Sequence, residues 1–401
     1  MMDSRQPNSY AKRFGEMMVN SLNYSLTAVE QAAIPLPDAV RVQAWHTLSY
    51  ALAWDAAWPL TRQLLLALSP QMEQIGLRND WLPYVEQGIR TAQTLADQTT
   101  EATLQLQAGW LCFQLGRLDD ATEYLEASVA GFRQTHRPAE VGKALNRLAF
   151  TARRRRDYTR VEELVDQSLA ILAKDDPERG NCFVVRGEVA LDRRDWPVME
   201  KEARIALAIW RQAGDRRRTA WALRNLGPAL GEQQRYTEAI AVLQEALAIL
   251  IEVHDPPQAA LTQMNLATLL HLAGRTDECL PLLAAAEQTF REIQDQTSLA
   301  MLYVNRGRLH RTLGAWPAAQ EDLKTSIELW RQLGNLRSQL NAWDELGLTY
   351  QDQGDFTAAL AAFDTGLAQL PQLIDQPGYE RLHTMLTHHR RQAASAYCSS
   401  S

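Results

Sequence analysis

Apolar residues recur along most of the chain at helical spacing, interrupted at regular intervals by Gly, Asp and Pro. Leu346 and Tyr350 are followed, across Gly354-Asp355, by Phe356, Leu360, Phe363, Leu367 and Leu370. Steps of three and four place each set on one helix face, and the break separates two helices. The same template returns in Ala108-Gly109 to Gly116-Arg117-Leu118, Leu148-Ala149 to Arg156-Asp157-Tyr158, and Arg186-Gly187 to Arg194-Asp195-Trp196. It continues in Leu226-Gly227 to Gln234-Arg235-Tyr236, Leu266-Ala267 to Gly274-Arg275-Thr276, Arg306-Gly307 to Gly314-Ala315-Trp316, and Leu346-Gly347 to Gly354-Asp355-Phe356. The turn positions 116, 156, 194, 234, 274, 314 and 354 recur every 40 residues, with one interval of 38. Seven units in one register form an internal repeat, each predicted as helix, tight turn and second helix.

Punctuation between the helices supports this pattern. Trp196-Pro197 and Trp316-Pro317 put Pro at the start of a second helix, where its missing N–H leaves no bond unmade. Arg137-Pro138, Asp176-Pro177, Gly214-Asp215, Asp255-Pro256-Pro257, Asp295, Gly334-Asn335 and Asp375-Gln376-Pro377 supply breakers and N-caps between units. Upstream, Trp58-Pro59 through Pro70, Gly76 and Trp81-Leu82-Pro83 predicts a less regular helix pair. Residues 8–30 and 38–56 read as helices separated by Ile34-Pro35-Leu36-Pro37, and 378–396 as a polar end helix. No strand-like alternation competes, so the chain is predicted to be all-α.

These units resemble the tetratricopeptide repeat: a Leu-Gly pair, an aromatic or Leu four residues on, Gly at the turn and a small residue five beyond it. The resemblance covers roughly residues 101–371. The 40-residue period and Asn225-Leu226-Gly227 are similar to the long-helix class of kinesin light chains and of sensor arms in bacterial STAND regulators. It implies a right-handed α-solenoid with an N-terminal helical cap (1–57), a degenerate repeat-like pair (58–100), seven repeats (101–377) and a C-terminal capping helix and tail (378–401). The small position is filled by Ala121, Val161, Met199, Ala239, Cys279, Ala319 and Ala359, so the second and third units are expected to pack less closely. The STAND nucleotide engine is not expected, because no G-x-x-x-x-G-K-[ST] occurs.

A repeat stack exposes two long faces, and in this family the first helices line the inner groove. Positions two before and two after the pair residue then point inward. The resemblance so implies a partner-binding groove of Trp110, Phe113, Asn146, Phe150, Arg153, Trp221, Arg224, Met264, His271, Arg308 and Arg311. Aromatic anchors with Arg suit a peptide bearing apolar groups and a carboxylate. The aromatics are equally readable as inter-helix packing, whereas the arginines are expected to stay out of the core. Asn225, Asn265 and Asn305 form a ladder at 40-residue intervals, read first as structural amides bonding the preceding connector, with hydrogen bonding to an extended ligand backbone as the alternative. Arg153-Arg154-Arg155-Arg156, Arg193-Arg194 and Arg216-Arg217-Arg218 are read as solvated turns, with a basic ridge as the alternative.

Composition narrows the function classes. Lys plus Arg number 41 and Asp plus Glu 48, a net charge of −7, which argues against a nucleic-acid binder. No apolar window suits a membrane span and Met1 to Met18 lacks an apolar stretch, so a cytoplasmic protein is predicted. Cys112, Cys182, Cys279 and Cys398 lie far apart and are expected to be free thiols. His388-His389 sit in the end helix and are read as solvent residues. No catalytic motif, metal site or cofactor site is expected. The sequence therefore predicts a non-catalytic adaptor holding a protein or peptide partner in its groove. A ligand- or peptide-responsive signalling or transcription regulator is the alternative, with an enzyme third.

Overall fold

The computed structural model describes residues 6–32, 36–374 and 378–400, so Ile34-Pro35 and Asp375-Gln376-Pro377 lie outside the described residues. Two compact units meet in sequence at Gln258 and Ala259. The described residues are helical throughout apart from short connectors, without a strand among them. None of their helices is long and apolar enough to cross a membrane.

The first unit begins with α1 (Gln6–Gln31) and α2 (Asp38–Ala51), which ends before Trp54 rather than running to 56. Trp54 is extended, and a short 3-10 turn at Asp55–Ala57 leads into α3 (Trp58–Gln74). Five hairpins follow from there: α3 with α4 (Arg78–Thr94), α5 (Gln98–Gln114) with α6 (Leu118–Gln134), α7 (Pro138–Arg154) with α8 (Tyr158–Ile171), α9 (Arg179–Arg193) with α10 (Trp196–Gln212), and α11 (Arg216–Glu232) with α12 (Tyr236–Glu252). One continuous core runs from Leu22 and Leu48 through Leu64, Leu68 and Trp81 to Leu104 and Ala121, so the N-terminal helices are packed as part of the stack.

The second unit takes up α13 (Pro256–Leu272), whose first residues precede its boundary, with α14 (Cys279–Glu292). It continues with α15 (Gln296–Thr312), α16 (Trp316–Gln332), α17 (Leu336–Gln353), α18 (Phe356–Gln369) and the end helix α19 (Tyr379–Ser400). Phe363 and Leu386 are wholly buried where α19 covers the last hairpin, the capping that a terminal repeat needs.

Every turn position of the sequence register is left-handed: Gly116, Arg156, Arg194, Gln234, Gly274, Gly314 and Gly354 all have φ between 58° and 89°. Each closes its helix in the same way. At Arg156 the amide of the left-handed residue bonds Arg153 O (2.9 Å) and the next, of Asp157, bonds Ala152 O (3.0 Å). Asp97, Asp157, Asp195, Asp215, Asp295 and Asp355 then accept the backbone N–H three residues on and start the following helix.

The single 38-residue interval has a local cause. The α8 helix is only 14 residues long, Leu172 turns extended, and no left-handed residue follows it. Arg179 Nη1 caps the freed carbonyls of Leu169 (2.9 Å) and Leu172 (3.2 Å), while Leu172 packs against Gly142. The looser packing expected in the second and third units is found only in part. Val161 and Met199 are buried. A Cβ added at Gly187 would meet nothing closer than 3.5 Å, whereas those at Gly109, Gly227, Gly307 and Gly347 would come within 3 Å of the second helix.

These geometries set opposite signs for two substitutions. Arg156→Gly should stabilise by about 0.5–1 kcal/mol, the left-handed penalty of an L-residue less the extra entropy of the unfolded chain. Gly347→Ala puts a methyl 2.4 Å from Phe363 Cε1 in a wholly buried contact. It should cost about 1–3 kcal/mol, and denaturant unfolding of both variants checks the pair.

Candidate functional site

Stacked first helices in the first unit converge on a cavity of about 320 Å³. Its walls are Ser69, Pro70 and Glu73 of α3, Trp81 of α4, and Leu106, Gln107, Trp110 and Leu111 of α5. Lys143 and Arg147 of α7 and Asp215, Arg217, Arg218 and Trp221 at the start of α11 complete it. The end of α3 is tied to the segment after α12, 180 residues on, since Gln74 Nε2 donates to His254 O at 2.9 Å and also to Val253 O.

The charges around this cavity fall into two classes. Arg217 bonds Asp255 at 2.6 Å, and Arg218 pairs with Glu178 at 3.1 Å and with Asp215. Glu73 accepts from Trp110 Nε1 (3.1 Å) and Gln114 Nε2 (3.3 Å) and lies 3.9 Å from Arg217. Arg147 stacks its guanidinium 4.0 Å from the Trp110 ring centroid, yet it is only 8% exposed and its Nη1 has no hydrogen-bond partner. Burial presses Arg147 and Lys143 below their ordinary pKa values, aided by like charge, while Glu178 and Glu73 pull the other way. Trp221 Nε1 and Gln107 Oε1, on the facing walls, are also buried without a partner.

The sequence-predicted residues divide accordingly. Trp110 and Trp221 line the cavity, and Phe113 stacks on Trp110 at 4.8 Å. Phe150 is buried edge-on to Trp110, so it packs behind the wall. Arg224, one turn beyond Trp221, has an unpartnered Nε and a pKa held down by burial. Two others are corrected. Asn146 is wholly buried; its amide donates to Glu178 and accepts from Cys182 Sγ, so it faces a connector instead of a groove. Arg153 is held by Glu188 and in bidentate fashion by Asp192.

In the second unit a more open cavity of about 420 Å³ contains Met264 and Arg308, along with Asn265, Asn305, Asp344 and Glu345. Arg308 and Arg311 both pair with Glu345, and Arg311 reaches Asp352 as well. His271 Nε2 lies 3.4 Å from Thr312 Oγ1, its Nδ1 has no partner, and burial beside Arg311 lowers its pKa. His389, expected in solvent, bonds the buried Asp344 at 2.8 Å.

The cavities include the positions two before and two after the pair residue, through Leu106, Trp110, Met264, Val304, Arg308 and Asp344, and add a position that the sequence reading left out. The position immediately before the pair residue is occupied by Gln107, Arg147, Val185, Asn225, Asn265, Asn305 and Glu345. Gln107 and Arg147 line the first cavity, and Asn265, Asn305 and Glu345 the second. The Asn ladder marks this register. Its side chains bond no connector, for no hydrogen bond engages Asn225, Asn265 or Asn305 among the described residues. The basic runs are exposed at Arg155, Arg156, Arg193, Arg194 and Arg216, as solvated turns would be, with surface pairs from Arg155 to Asp119 and Arg216 to Glu252, whereas Arg217 and Arg218 hold buried carboxylates. The cysteines are free, Cys398 alone being exposed, and burial pushes the Cys112 and Cys182 thiols up to about 11.

Breaking one of these engaged pairs should show how much the cavity wall depends on it. Asp255 is 1% exposed, so Arg217→Met strands a buried carboxylate. The loss should be about 2–3 kcal/mol in chemical unfolding, below the value for a fully buried pair because Arg217 is a quarter exposed.

A family model of the tetratricopeptide repeat matches residues 183–252 and 298–372. No curated protein sequence matches the chain. Among solved structures the chain is similar to the Signal Transduction ATPase with Numerous Domains protein with a tetratricopeptide repeat sensor from Pyrococcus horikoshii. That match has 14% identity and a TM-score of 0.59, covering 92% of this chain and 54% of that one. The apo quorum sensor NprR from B. thuringiensis matches at 15% identity and a TM-score of 0.53, over 75% of this chain and 82% of that one. A Rap protein complexed with Competence and Sporulation Factor matches at 15% identity and 0.53, over 95% and 98%. At such identities the likeness is one of fold. The two stretches matched by the family model are tetratricopeptide repeats, and the repeat register and left-handed hairpin turns continue the same helix-hairpin fold outside them.

Proposed function

We propose that this protein is a non-catalytic interaction scaffold that holds a partner peptide or helix against the first helices of its hairpins. One observation carries the reading: the register position before the pair residue lines both cavities, through Gln107 and Arg147 in the first unit and Asn265, Asn305 and Glu345 in the second, and Arg147 and the Asn ladder make no side-chain hydrogen bond or ion pair among the described residues. Buried polar groups are ordinarily satisfied within a fold, so the buried Arg147 with Nη1 open, and the half-buried ladder amides left unbonded, suit an external partner. Trp110, Phe113, Trp221 and Arg224 would supply anchors in the first unit, and Met264 and Arg308 in the second.

A second reading, a ligand-responsive regulator, has its own support. The Gln74 bonds to Val253 and His254, with Glu73 3.9 Å from Arg217, hold α3 to the segments around α11 and α12 through a few polar contacts. Entry of a ligand that breaks them would shift a two-state equilibrium. The fold likeness to a quorum sensor and to a Rap protein complexed with a factor is in keeping with it.

Photo-cross-linking distinguishes the faces. A photoreactive residue replacing Asn225 on α11 should capture a partner from host extract, and one replacing the exposed Gln244 on α12 should not. Capture from Gln244 alone would move the function to the outer face.

A further inference from the structure

The first-unit cavity carries a charge arrangement that specifies a ligand class. Of the four cations on its walls, Arg217 and Arg218 are held by Asp255 and Glu178. Lys143 and Arg147 are one helical turn apart on α7, and no ion pair or hydrogen bond to protein engages either side chain. Arg147 is more than nine-tenths buried with Nη1 unpartnered, a costly state for a cation in the absence of an anion. The neighbouring walls are apolar and flat: Trp110, Trp221, Leu106, Leu111 and Pro70.

We infer that this cavity is a binding site for a carboxylate carried on a compact, flat apolar body, with the carboxylate received by Arg147 Nη1 and Lys143 Nζ and the body lying between Trp110 and Trp221. The inference rests on the reading of this face as ligand-binding and adds the chemistry. At about 320 Å³ the space is at the small end of ligand sites, which favours a small organic acid over a long side chain with its backbone. A single negative charge fits better than two. Lys143 and Arg147 are the two wall cations without an ion pair, and Glu73 and Glu178 already offset part of their charge, so a monoanion is matched where a second negative charge would be opposed. Glu73 is the internal counterpart of the ligand group. It sits among Trp110, Gln114 and Arg217 without bonding Arg147, and an entering carboxylate meets its repulsion.

The test uses the full chain and isothermal titration with 3-phenylpropionate, its amide, phenyl phosphate and an acetylated tripeptide ending in a Phe carboxylate. The acid should bind at least about tenfold more tightly than the amide and more tightly than phenyl phosphate, the loss of one charge-assisted bond being worth that factor. Arg147→Met and Lys143→Met should each weaken the acid by about tenfold or more, and Glu73→Gln should tighten it. Arg147→Met should also melt no lower than the parent, since it removes an uncompensated buried cation, a result that a structural Arg147 would not give. Binding of the tripeptide alone would assign the site to a peptide terminus and overturn the compact ligand. Equal affinity for acid and amide, preference for phenyl phosphate, binding of none of the four, or a lower melting temperature for Arg147→Met with unchanged affinity would overturn the proposal. Cross-linking from Asn225 would stand or fall separately.

Discussion

A left-handed residue at the end of each first helix is the constraint on which the rest of this structure depends. It reverses the chain, and its amide and the next one satisfy the carbonyls that the helix end would leave open. The same conformation recurs from Gly116 to Gly354 at the sequence register, so each second helix packs back at a similar angle. Equivalent residues of successive hairpins then stack, which is how one sequence position comes to line a cavity. Arg156, Arg194 and Gln234 adopt the conformation without the freedom of glycine, so packing of the flanking helices must outweigh their backbone preference.

This dependence explains what was legible in the sequence. Hairpins, turns and capping residues follow from local chemistry repeated in register, and the end helix follows from the need to cover the last hairpin. The early end of α2 did not show, because nothing in the alternation marks the extended Trp54. The interval of 38 was visible, but its cause was not: it needs Arg179 to reach back to the carbonyls of Leu169 and Leu172.

The candidate site was legible only in outline. Trp110 and Trp221 were found from their register, but Lys143 and Arg147 were not, although Arg147 occupies the ladder position of Asn225, Asn265 and Asn305. A charged residue on a helix reads as solvated unless its neighbours from other hairpins are known. Here those neighbours decide every case in opposite ways. Arg153, Arg217 and Arg308 have carboxylates one repeat or so away and act as struts, whereas Arg147 meets an indole ring and open space. The distinction between engaged and unengaged arginines arises from packing between repeats, where pattern within a repeat carries no information.

The central claim is that the fold leaves a buried cation pair open towards a cavity. A crystal structure of the full chain, at a resolution that shows ordered solvent, measures this directly. The account predicts the Arg147 guanidinium stacked on Trp110, with Nη1 bonded to an ordered water or anion that also touches Lys143. Arg147 bonded to Glu73 or Glu178, with the space between Trp110 and Trp221 closed, would contradict it.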